Sequence, residues 1–153
     1  MLLWLAGCAT ALGPTIDQRT TQGPTAAEFW TVRVMEQTGR TPSFEEKRYF
    51  DEELDDRISR YLRDHEEAAN SLTLMSFRAL KQVTVGMDSG QVEILLGPPL
   101  ATTRDPQQMQ NLARHHWPAI RGKADEAWSY PRGWVIYFAK ARVVDITQYL
   151  PRT

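Results

Sequence analysis

Between Trp128 and Thr147 three short apolar runs are joined by connections of only a few residues. Trp128-Ser129-Tyr130 stops at Pro131-Arg132-Gly133. Trp134-Val135-Ile136-Tyr137-Phe138 is β-branched or aromatic throughout, Ala139-Lys140-Ala141 turns, and Arg142-Val143-Val144-Asp145-Ile146-Thr147 returns. A parallel neighbour needs a crossover of about a dozen residues or more, and these connections have no such length. The runs are therefore expected to pair as an antiparallel three-stranded meander. Alternation sends Trp134, Ile136 and Phe138 to one side and Val135 and Tyr137 to the other. Both sides are apolar, so both need a cover. Helices serve one; the other falls either to the N-terminal segment around Phe29 and Trp30 or to a partner.

Upstream, Ser43-Phe44-Glu45-Glu46 is a capping box, in which hydroxyl and carboxylate satisfy orphan amide donors reciprocally. Behind it Phe50, Leu54, Ile58, Tyr61, Leu62 and His65 recur at three- and four-residue spacing, one apolar stripe on a helix to about His65. Glu53 before Arg57 and Asp56 before Arg60 stand in the favoured order for i,i+4 pairs. A second helix is predicted over Ala68 to Lys81, with Leu72, Met75 and Ala79 inward. Asp88 can cap a third, with Gln91 at the reciprocal position and Val92, Leu95 and Leu96 buried. Gly97 suits the left-handed residue that ends a helix, and Pro98 forbids continuation. Helices followed by strands predict an α+β domain over residues 43–150, with helices packed on one face of a three-stranded antiparallel sheet (an ααβββ module) and an N-terminal helical extension.

The flanking parts carry less pattern. Thr10 to Thr25 is rich in Thr, Gln, Gly and Pro and reads as a tether. Ala26 to Gln37, with Phe29, Trp30, Val32, Val34 and Met35, is a helix or a strand, so residues 9–42 are expected to be tether and docking segment. About two dozen residues between Pro99 and Trp128 read as an irregular insert.

A length of 153 residues predicts one domain. A net charge of -1 argues against a dedicated nucleic-acid binder, which needs a basic face. One cysteine excludes an internal disulfide framework and a four-cysteine zinc site. No uncharged apolar run reaches the roughly 18 residues of a spanning helix.

That cysteine stands in Leu5-Ala6-Gly7-Cys8, which resembles the box ending a bacterial lipoprotein signal. The resemblance implies that Cys8 carries a thioether-linked diacylglycerol, and that Ala9 after it directs the protein to the outer membrane. Several acyl chains, at about 0.8 kcal/mol per buried methylene, anchor durably where one would not. Residues 1–8 are then the remnant of a signal whose basic and apolar stretch is expected in frame upstream.

The string Val85-Gly86-Met87 followed by Val92, Leu95-Leu96-Gly97 and Pro99 resembles the SmpA/OmlA (BamE-like) family of small outer-membrane lipoproteins. Trp128 to Tyr130, Tyr137-Phe138 and the Val-rich last strand are similar to its second half. The likeness covers roughly residues 60 to 148. It implies two helices before an antiparallel three-stranded sheet, and a non-catalytic accessory role beside the machinery that inserts β-barrels. The implied partners are outer-membrane or periplasmic proteins, with the membrane engaged through the lipid. The helical addition from Ser43 and the insert after Pro99 depart from the family pattern, and Ala139-Lys140-Ala141 lacks the Asn- or Asp-Gly that hairpins prefer.

No Gly-x-Ser-x-Gly elbow, phosphate loop or His-Glu-x-x-His occurs, so neither catalysis nor a cofactor is expected. Adjacent histidines cannot both face one metal from a regular helix or strand, although a loop would allow it. His115 and His116, with His65 on the helical stripe, are therefore read as core or surface histidines rather than metal ligands. A metal-dependent enzyme built on the pair is the weakest reading. Residues 45 to 67 hold ten acids against five bases, and residues 104 to 142 seven bases against three acids. Such charge can steer a partner or simply face water, and the basic insert could equally meet anionic lipid headgroups. Trp117, in a Pro-flanked loop, is the expected interface anchor. Trp134, Tyr137, Arg114 and Arg121 complete the expected partner-binding set. The alternative is a groove beside the insert that holds a small ligand or an envelope polymer, unrelated to barrel assembly.

Overall fold

The computed structural model describes residues 15–152, so the Leu5 to Cys8 string and the acylation expected at Cys8 lie outside the described residues. The meander is present: β5 (Glu126–Ser129), β6 (Trp134–Ala139) and β7 (Arg142–Leu150) are consecutive antiparallel neighbours. It is the middle of a five-stranded sheet rather than the whole of one. β1 (Ile16–Thr20) adds to β7, and β4 (Ala101–Thr103) adds to β5, in the order β1-β7-β6-β5-β4.

The expected tether is thus corrected. Ile16 to Thr25 forms β1 and β2 (Gln22–Thr25), the latter paired with β3 (Gln82–Thr84). Composition reports which side chains can be buried, whereas an edge strand is held through its backbone. β1 runs in register with β7 from Ile16 opposite Leu150 to Thr20 opposite Ile146. Arg19 Nε adds a 2.8 Å ion pair to the buried Asp145.

Each sheet face has its own core, and the split follows the alternation. Trp134, Ile136 and Phe138 join Phe29, Leu54, Ile58, Phe77, Val92 and Leu96 beneath α1 (Ala26–Thr38), α2 (Phe44–Asp64) and α4 (Ser89–Leu96). Val135 and Tyr137 join Met109, Ala113 and Ile120 beneath α5 (Pro106–Ala113). A 3₁₀ turn at Arg114–His116 and α6 (Trp117–Ile120) continue that cover. The insert is therefore helical, and it covers the second face itself. Helices lie on both faces, not one, and neither the N-terminal segment nor a partner is needed there. The residues around Phe29 and Trp30 are α1, on the first face; Trp30 stacks on Phe50 of α2 at 4.6 Å.

The two punctuated helices form where the residues place them. Ser43 accepts from Glu46 N at 3.2 Å, and Glu46 accepts from Ser43 N at 2.8 Å. Arg40 donates to the Glu46 carboxylate, which holds its pKa down at about 2. Asp88 and Gln91 close the same reciprocal pair on α4, and Gly97 leaves with φ +78°. On the outer face of α2 the ion pairs are Lys47–Asp51 and Arg48 with Glu45 and Glu52. Arg60 donates to the Asp56 carbonyl instead of its carboxylate.

The helix expected over Ala68 to Lys81 does not form as one element. A single turn, α3 (Glu66–Ala69), is followed by a turn and then by a π-helical turn at Ser76–Leu80. Neither piece has a side-chain cap. Phe77 and Thr73 go inward, and Leu72, Met75 and Ala79 go outward. The predicted inward face is reversed because Phe77, the largest apolar group of the segment, takes the one place under α2, edge-on to Tyr61.

Candidate functional sites

The reversal leaves an apolar stripe in water. Leu72 is 104% exposed, Met75 66% and Leu80 54%, and Ala79 is exposed beside them. Ser71, Leu72, Leu74, Met75, Arg78 and Ala79 line a shallow depression of about 680 Å³. Leu72, Leu74, Met75 and Ala79 share that depression, with Leu80 exposed on the same short segment, unlike the scattered single hydrophobics of an ordinary surface. A π-helical turn underlies it, and such turns recur at functional sites. The competing pattern was visible in the sequence: Thr73 and Phe77 offer a second face, and the aromatic ring decides between the two.

The expected anchors are distributed differently. Trp134 and Tyr137 are buried, one in each core, and Trp117 is half-buried against the second core at the start of α6. None of the three presents its ring as an exposed anchor, because helices from the insert and the N-terminal half already pack on both sheet faces. Tyr137 instead pairs its hydroxyl with Thr147 Oγ1 at 3.0 Å, and burial pushes its pKa up to about 12. Arg114 and Arg121 are at the surface. The Arg114 guanidinium lies over the Tyr149 ring, 3.7 Å from its centroid, a cation–π contact.

Beside Arg114 run β1 and β7. Arg114 takes φ 56° and ψ -133°, a backbone conformation that costs a non-glycine residue on the order of 1–3 kcal/mol. The kink turns both following histidines toward β1. His116 Nε2 lies 3.0 Å from Asp17 Oδ1, and His115 Nδ1 lies 3.4 Å from Asp17 Oδ2. The two imidazoles are 3.9 Å apart, centroid to centroid. His65 is elsewhere, stacked on Tyr61 at 3.8 Å. Local pattern could not have supplied Asp17, which is 99 residues from His116. It reaches the pair because β1 is a strand whose Asp17 lies opposite Tyr149.

A groove also lies beside the insert, as the ligand-binding alternative requires. Thr102, Thr103, Gln108, Asn111, Leu112 and Ser129 line about 310 Å³ between β4 and α5. This is the lower limit of small-molecule pockets. Among the described residues no helix is long and apolar enough to cross a membrane.

No family model, curated protein or solved structure matches this chain.

Proposed function

We propose that this chain is a non-catalytic, lipid-anchored periplasmic interaction module on the outer membrane, serving envelope maintenance or barrel assembly by binding another protein. The observation that carries the interaction is the outward stripe of Leu72, Met75, Ala79 and Leu80. An apolar row at helical spacing is costly to leave in water, and it is the form in which a helix or groove of a partner is recognised. The lipobox at Cys8 supports the anchor, and the Val85 to Pro99 string supports the SmpA/OmlA-like assignment.

The anchor and the fold together constrain reach. Eight residues lead from Cys8 to Ile16, so the body stands at most about 28 Å from the acylated sulfur. The expected tether would have allowed more. The acidic outer face of α2 is laced by its own Lys and Arg residues, which fits a solvated surface better than a steering one.

Two measurements test the reading. Palmitate labelling should disappear in Cys8→Ser, and label that persists there refutes the attachment site. Leu72→Glu with Met75→Glu should abolish co-purification of the bound envelope protein while the circular dichroism spectrum stays unchanged; retained co-purification refutes the stripe. The groove reading predicts instead that Asn111→Leu disturbs binding of a small ligand or glycan fragment and the stripe variant does not.

A further inference from the structure

We infer that Asp17, His115 and His116 form a binding site for a divalent transition-metal ion of the zinc class, fastening β1 to the insert. The three side chains converge on one point, as the ligands of a coordination shell do. Metal–ligand bonds of about 2.0–2.2 Å place neighbouring ligand atoms about 3.0–3.5 Å apart. Here Asp17 Oδ1 lies 3.0 Å from His116 Nε2 and its Oδ2 lies 3.4 Å from His115 Nδ1, and one ligand atom from each residue lies within 4.8 Å of the other two. An ion among them would draw one oxygen of Asp17 toward both rings.

The elements hold this arrangement in place. Asp17 is fixed by the β1–β7 ladder, where it lies opposite Tyr149. The histidines are fixed by the positive-φ Arg114 and by the 3₁₀ turn that it opens. Adjacent residues on a regular helix or strand would diverge, and this kink is what makes them converge. Arg114, next to the pair in sequence, is held against the Tyr149 ring. Two imidazoles and one carboxylate leave a bound divalent ion with a single net positive charge, and a fourth ligand, from water, completes its coordination.

The donor set selects among metals. Imidazole nitrogen suits zinc, cobalt, nickel and copper, and the order of affinity places copper and nickel as competitors. Magnesium and calcium prefer shells of oxygen and are expected to fail here. His115 is 63% exposed as a side chain, against 17% for His116 and 28% for Asp17. The site is therefore open on the His115 side, and that is where the fourth ligand enters.

The test is titration of the untagged full chain with Zn²⁺ and with Co²⁺, followed by calorimetry and by visible cobalt absorption. One ion per chain is expected, with no saturable binding of Mg²⁺ or Ca²⁺. His116→Ala and Asp17→Asn should each weaken Zn²⁺ binding at least ten-fold, and His65→Ala should leave it unchanged. Histidine ring NMR signals of the unaltered chain provide a readout that does not depend on any variant folding. Those of His115 and His116 should shift on zinc addition and that of His65 should not. Absence of saturable zinc binding, or equal affinity in the doubly substituted His115→Ala/His116→Ala chain, or a shift confined to His65, overturns the site and leaves Asp17 a hydrogen-bond partner of His116 only.

Discussion

α4 and the stretch from Glu66 to Leu80 look alike as strings of residues, each apolar at helical spacing, yet they fold differently. α4 is stopped at both ends by its own side chains and glycine, and its apolar residues Val92, Leu95 and Leu96 are buried. The other stretch has no side-chain cap, breaks into two short pieces and turns its apolar stripe outward. Periodicity states that a face exists; punctuation and the bulkiest side chain decide which face is buried. Where the two disagree, the leftover apolar face is available to a partner.

The sharpest break of this comparison is at Phe77. Phe77→Ala should cost about 3–5 kcal/mol in denaturant unfolding, while Leu72→Ala should stay within about 0.5 kcal/mol. Similar losses at both positions would mean that the stripe is core after all. Next comes the stop of α4: Gly97→Ala should lose about 1–3 kcal/mol, because φ +78° with ψ -170° is backbone that essentially only glycine adopts.

The cap of α2 follows. Ser43→Ala should cost about 1 kcal/mol. The Arg40 and Ser43 contacts hold Glu46 at about 2 against an ordinary 4.5. A depressed carboxylate stabilises the fold above its ordinary value and loses that contribution as pH falls through the lowered one. The first turn of α2 should therefore loosen between pH 4.5 and 2, seen in the amide shifts of Ser43 to Lys47.

The smallest effect is at the last hairpin. Lys140 and Ala141 both have positive φ, 51° and 61°, the geometry of a type I′ turn built without Asn-Gly. Ala141→Gly should stabilise the chain by about 0.5 kcal/mol, read as a raised thermal midpoint, since relieved strain exceeds added unfolded-state freedom.

The legible parts of the fold were those whose causes are local. Ser43, Asp88 and Gly97 announce helix ends, and the alternation from Trp134 to Phe138 assigns each residue to its core. β1 escaped because nothing in Ile16 to Thr20 shows that β7 offers it a free edge. The insert escaped because Met109, Ala113 and Ile120 gain their meaning only from Val135 and Tyr137 beneath them. The aromatic anchors were misplaced for the same reason, since a Trp117 beside prolines reads as exposed until α6 lays it on the sheet. The histidine pair was visible, but its carboxylate lies at the other end of the chain.

The outward stripe is the claim on which the proposed function turns. A photo-crosslinking amino acid placed at Leu72 of the full chain, in intact cells, tests it most directly. An adduct with one discrete envelope protein is expected, lost when Met75→Glu is added and absent when the crosslinker sits at Glu53 on the exposed face of α2. No adduct at Leu72, or the same adducts from Glu53, would contradict it.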